Sequence, residues 1–157
     1  MEQKLIQELI TGDSEEIKEL QDNLGILTGF LKLTRQIDSL PNIEKRFYER
    51  NRSLYQATAK DHELGELENI LQEFFGLPVK PAGKPLPLKY RLNQTVRNLN
   101  GLKKNQTLFL KAMKKGEFYG ALWPWQRDTS KIEIHLGYSS SSINKEDYDS
   151  LTMLVKK

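Results

Sequence analysis

The stretch GLPVKPAGKPLP, residues 76–87, holds four prolines and two glycines in twelve positions. Neither a helix interior nor a central strand survives that density, because each proline removes a backbone donor and fixes its own φ. The segment therefore reads as an extended connector, partly polyproline-like, and it divides the chain into two texts of different period.

On its N-terminal side the period is helical. Leu5, Ile6, Leu9 and Ile10 predict a short first helix that stops at Thr11-Gly12. Asp13 then reads as an N-cap with Glu16 three positions on, the capping-box spacing. Ile17, Leu20, Leu24, Leu27 and Leu31 follow at three-and-four spacing, and Ser39-Leu40-Pro41 breaks the helix. From Pro41 to Phe75 the positions Ile43, Phe47, Leu54, Ala57, Leu64, Leu67, Leu71 and Phe74 predict one long second helix. That seam places Arg50 and Asp61 inward, so the middle of the helix is expected to be exposed. A short link between two long helices predicts an antiparallel hairpin.

On the C-terminal side Leu88, Leu92, Val96 and Leu99 predict a third helix ending at Asn100-Gly101. The period then becomes two. Thr107–Met113 and Glu117–Trp123 flank a turn, and Lys131–Tyr138 alternates Ile132, Ile134, Leu136 and Tyr138 against Glu133 and His135. Ser142 or Asn144 caps a last helix with Tyr148, Leu151, Leu154 and Val155 on its inner stripe. The expected fold is α+β: a long N-terminal antiparallel helical hairpin arm over 1–76, a proline-rich connector over 77–87, and a small module over 88–157 with a three-stranded antiparallel meander and flanking helices.

Charge follows the same divisions. Residues 1–76 carry 15 acidic and 9 basic side chains, a net of −6, and residues 116–157 carry 6 acidic and 5 basic. Residues 77–115 carry 10 basic side chains and no acidic one. Uncompensated positive charge on this scale holds an anionic polymer or an acidic protein surface, and the acidic half of this same chain, or of a second copy, is one such surface.

The meander is unusually aromatic. A pairing of Met113 with Phe118 puts Leu108, Leu110, Ala112, Tyr119, Ala121 and Trp123 on one face and Phe109, Lys111, Met113, Phe118 and Leu122 on the other. Both faces are largely apolar, so one packs under helices while the other needs more chain, a second subunit or a ligand. Pro124 confines Trp123 and Trp125 to a strand end or edge. His135 and Glu133 share a strand face and have the chemistry for acid–base work or a metal. With His62 the only other histidine, a two-histidine site would need distant segments to converge; His62 with Glu66 is most simply a helix-surface pair.

There is no cysteine, phosphate loop, nucleophile elbow, zinc-protease pair or calcium loop. No continuous apolar stretch is long enough for a signal or a membrane span, so the cytoplasm is the default compartment. The resulting expectation is a non-catalytic interaction or regulatory domain without cofactor or metal, self-associating through its helical arm or docking a protein partner. The alternative is single-stranded nucleic-acid or RNA binding through the basic segment 80–115 and the sheet aromatics. The candidate binding surface comprises Arg97, Lys103, Lys104, Lys114, Lys115, Tyr119, Trp123, Trp125 and His135. A ligand pocket around His135, Glu133 and Trp125 is the third reading.

Overall fold

The computed structural model describes residues 6, 10, 12–45, 53–99 and 102–156. The chain is α+β, built on a five-stranded antiparallel sheet. In chain order the elements are α1 (Glu15–Asp22), α2 (Leu24–Asp38), β1 (Glu44–Lys45), β2 (Tyr55–Lys60), α3 (Leu64–Phe75), α4 (Gln94–Asn98), β3 (Thr107–Ala112), β4 (Glu117–Pro124), β5 (Lys131–Ser139) and α5 (Lys145–Lys156). Single 3-10 turns occupy Asp61–Glu63 and Leu88–Tyr90. The strand order is β1-β2-β5-β4-β3.

The expected meander is present as β3-β4-β5, but two further strands extend it on the β5 side. They come from the segment expected to be one long helix over 41–75. Tyr55, Ala57 and Ala59 point inward at alternate positions and pair with Leu136, Ile134 and Ile132 of β5. The helical seam through this region depended on accepting a charge at Asp61, which in fact opens the 3-10 turn, is exposed, and donates its amide to the Ser130 carbonyl at 2.8 Å. Arg50 lies outside the described residues. Among the described residues of this segment the α-helix is confined to Leu64–Phe75, which buries Leu67, Leu71 and Phe75 at four-residue spacing. The helical hairpin arm over 1–76 is therefore not the architecture: β2, from that half, is hydrogen-bonded beside β5 from the other.

The first helix expected around Leu5–Ile10 lies mostly outside the described residues, although Ile6 is helical and both Ile6 and Ile10 are buried. Ser14 rather than Asp13 caps α1, accepting from the Ile17 amide at 3.3 Å while its own amide donates to Asp147 of α5 at 3.1 Å. Asn23 interrupts the predicted single helix and separates α1 from α2. The helix expected over 88–99 shrinks to α4, because Asn93 caps it through the Val96 amide. Leu88 and Leu92 are left outside, 73 % and 78 % exposed. In α5, Asn144 supplies the cap by accepting from the Asp147 amide at 2.8 Å.

Helices α1, α2, α3 and α5 cover one face of the sheet. Phe30 of α2 meets Phe118 of β4 at 4.8 Å between ring centroids, and Phe74 and Phe75 of α3 close the same cluster against Phe118 and Phe109. The hairpin register is Lys111 with Phe118, two residues from the expected pairing. An even slip keeps every side chain on its expected face.

The second face over β3 and β4 is covered by more of the same chain. Val79, Leu86, Tyr90, Val96, Leu99 and Leu102 pack on Leu108, Tyr119 and Ala121. The stretch read as a connector is thus a strap. It leaves α3 at Gly76, takes φ +81 there, and bridges the outer strand β3 through Lys80 and Leu108. The amide of Val79 donates to the Leu108 carbonyl at 2.9 Å. The strap so occupies backbone positions that an edge strand would otherwise present to another chain.

Candidate functional site

Two arrangements carry the chemistry of the second face. The first lies within the sheet, where alternation puts Gln56 of β2, Glu133 and His135 of β5, and Tyr119 and Trp123 of β4 on one side. His135 is 1 % exposed, with the Trp123 ring 4.1 Å from it between centroids. Its Nδ1 lies 3.3 Å from Ser53 Oγ, which is also 3.2 Å from the Tyr119 hydroxyl. Its Nε2 is 3.2 Å from Glu133 Oε1, at ion-pair distance but without hydrogen-bond alignment. Gln56 Nε2 donates to the same carboxylate oxygen at 2.7 Å.

Ser53, His135 and Glu133 thus stand in a row, but only the Ser53–His135 contact in it is a hydrogen bond. In the tautomer whose Nδ1 is unprotonated, Nδ1 accepts from Ser53, whose oxygen then accepts from Tyr119. Burial pushes the Tyr119 hydroxyl pKa up, and the Ser53 contact opposes it weakly. Gly137 makes the row possible: a Cβ there would sit 2.5 Å from the Tyr119 hydroxyl oxygen, so only glycine lets that side chain lie across β5 toward Ser53. The clefts along α1, one of about 560 Å³ between Glu15, Glu19 and the Lys114-Lys115 turn, are lined by none of these residues.

The second arrangement is the strap surface. Lys80 is buried at 1 % exposure and its Nζ donates to the carbonyls of Lys104 at 2.9 Å, Pro81 at 3.3 Å and Gln106. Burial pushes the Lys80 amine below the ordinary lysine value, while three carbonyl acceptors favour its charged form. This one cation is structural, pinning the strap to the loop before β3. By contrast Lys84, Lys89, Arg91, Arg97, Lys103 and Lys104 are exposed. None of the six has an ion-pair partner among the described residues, and Lys89 lies 5.1 Å over the Tyr90 ring. Leu77, Leu88 and Leu92 of the same segment are 79 %, 73 % and 78 % exposed.

The nine residues singled out from the sequence are therefore divided. Arg97, Lys103 and Lys104 lie on the strap side. Lys114 and Lys115 sit at the β3–β4 turn against α1, where Lys115 Nζ meets Glu15 at 2.8 Å and both amides donate to the Glu19 carboxylate. That contact lowers the Glu15 pKa and raises that of Lys115. Tyr119 and His135 are buried and Trp123 half-buried, within the sheet row. Trp125 is half-buried beyond the end of β4, with Lys131 Nζ 4.9 Å over its ring. His62 is exposed in the 3-10 turn, 3.8 Å from Glu63 rather than beside Glu66.

Sequence reasoning missed Ser53 and Gln56, which enter the row only because β2 joins the sheet, and Gly137, whose role comes from its register opposite Tyr119 of β4. It also missed the exposed leucines, since helical spacing assigned Leu88 and Leu92 to a buried stripe. Among the described residues no group of three or more histidine, aspartate or glutamate side chains could hold a metal, and no helix is long and apolar enough to cross a membrane. No family model matches the chain, and comparison with curated proteins and with solved structures finds no match.

Proposed function

We propose that this chain is a non-catalytic interaction module, that its docking surface is the basic strap laid over β3 and β4, and that its partner is an acidic protein surface with apolar side chains. The observation that carries the reading is the composition of the strap: three leucines more than 70 % exposed and six exposed cations within one segment free of carboxylates. Exposed cations of one sign steer an oppositely charged partner, and exposed leucines supply burial that charge alone does not. Self-association belongs to the same reading, but through charged surfaces. Ile17, Leu20, Leu27, Phe30 and Leu31, the expected self-association stripe of the arm, are all buried in the chain's own core.

Nucleic-acid binding is the second reading, favoured by the same unpaired cations. Base stacking on the sheet has less support, because Tyr119 is 4 % exposed and its hydroxyl is engaged by Ser53. One titration separates the two. An amphipathic peptide of glutamate and leucine, followed by fluorescence anisotropy, is expected to bind, to weaken by about tenfold between roughly 50 and 300 mM salt, and to lose binding with Arg97→Glu/Lys104→Glu. Binding of a single-stranded oligonucleotide without binding of the peptide would reverse the choice.

A further inference from the structure

We infer that the surface fitting the strap is the acidic face of α3 on a second copy of this chain, so that copies associate head to tail. The inference rests on the strap being the docking surface. Residues 61–76 contain five carboxylates and neither lysine nor arginine, and they are followed directly by the acid-free segment 77–115. Asp61, Glu66 and Glu73 are exposed, and none of them has an ion-pair partner among the described residues.

Where acid and base do meet within the chain, they pair: Lys115 with Glu15 at 2.8 Å and Lys45 with Asp38 at 2.9 Å. The α3 carboxylates and the strap cations stay unpaired because the fold keeps them apart. Leu67, Leu71 and Phe75 seat α3 on the helix-covered face, in one cluster with Phe109 and Phe118. Val79, Leu86 and Val96 seat the strap on the other face, in a separate cluster with Leu108 and Tyr119. The sheet lies between the two clusters, and among the described residues no ion pair joins them. Pairing of these charges would have to come from another molecule, and a second copy offers both signs at once.

The two patches differ, so the contact is heterologous: each copy uses its strap on one neighbour and its α3 on another, and the assembly is a ring or an open chain. Exposed ion pairs contribute little singly. Covering Leu77, Leu88 and Leu92 supplies the apolar part of the contact.

Sedimentation velocity tests this on the full chain. The sedimentation coefficient is expected to rise with concentration at low salt and to return to the monomer value at high salt. Glu66→Lys/Glu73→Lys and Arg97→Glu/Lys104→Glu, all at exposed positions, should each be monomeric alone and should associate when mixed in equal amounts, because each reversed patch then meets its complement. Circular dichroism melts confirm that both variants fold. A native chain that stays monomeric at every concentration in low salt, or a mixture of the two variants that stays monomeric, overturns the inference. If the glutamate-leucine peptide still binds the strap in that case, only the identity of the partner falls; if it does not bind, the strap reading falls too.

Discussion

At the scale of single residues, the second face is held by a few groups with one permitted identity each. Gly137 is required by the close approach of Tyr119, so Gly137→Ala should force the ring away from Ser53 and cost about 1–3 kcal/mol, read as a lower denaturation midpoint. Lys80→Met keeps the apolar stem but leaves three part-buried carbonyls without their donor; a loss of about 1–3 kcal/mol is expected, with faster amide exchange in the strap. Tyr138 is the opposite case. Its hydroxyl is buried without a hydrogen-bond partner, so Tyr138→Phe should be neutral or stabilising at neutral pH. Burial first, then the charges of Glu19 and Glu16, raises its pKa far above that of a free tyrosine. Burial and the hydrogen bond to Asp38 do the same for Tyr55. A pKa raised on folding favours the protonated form, so the stability it represents is complete below about pH 10 and declines as pH rises above that. Unfolding free energy measured from pH 8 upward should fall in the alkaline range, and less steeply in Tyr138→Phe.

At the scale of elements, the decisive competition is between helix and strand for residues 53–60. Leu54, Ala57, Leu64 and Leu67 satisfy helical spacing well enough to suggest continuity, but the seam had to run through Asp61. As a strand, the same residues place Tyr55, Ala57 and Ala59 against β5 with each at 2 % exposure or less. Pairing with a strand more than seventy positions later decides the conformation, and local periodicity does not contain that partner. The reverse holds for β5, whose strict alternation makes it a strand in any context, and for α5, whose Asn144 cap and Leu151–Leu154 stripe agree with each other. A proline at Ala57, which lies in β2 between two paired neighbours, should prevent folding of the sheet and leave no cooperative melting transition.

At the scale of the whole molecule, the sheet acts as a partition. Aromatic packing of Phe30, Phe74, Phe75, Phe109 and Phe118 fixes the helices on one side, and each fully buried side chain of this size contributes about 1.5–3 kcal/mol. The strap covers the other side over β3 and β4 and carries exposed cations. That separation of acid from base is what the head-to-tail association and the peptide titration both test.

What the sequence by itself determined is what depends on neighbours within a few residues: the mixed α+β class, the β3-β4-β5 meander, the last helix, the faces of the hairpin and the unbroken positive charge of 77–115. What only the tertiary structure decided is what depends on distant partners. It made 53–60 a strand, converted a proline-rich connector into a cover for the sheet, buried Lys80 among carbonyls, and brought Ser53 to His135. It also seated the strap on the opposite face of the sheet from α3. The physical reason is that local periodicity reports which side chains shun water, whereas the surface they are buried against is supplied by chain far away in the sequence.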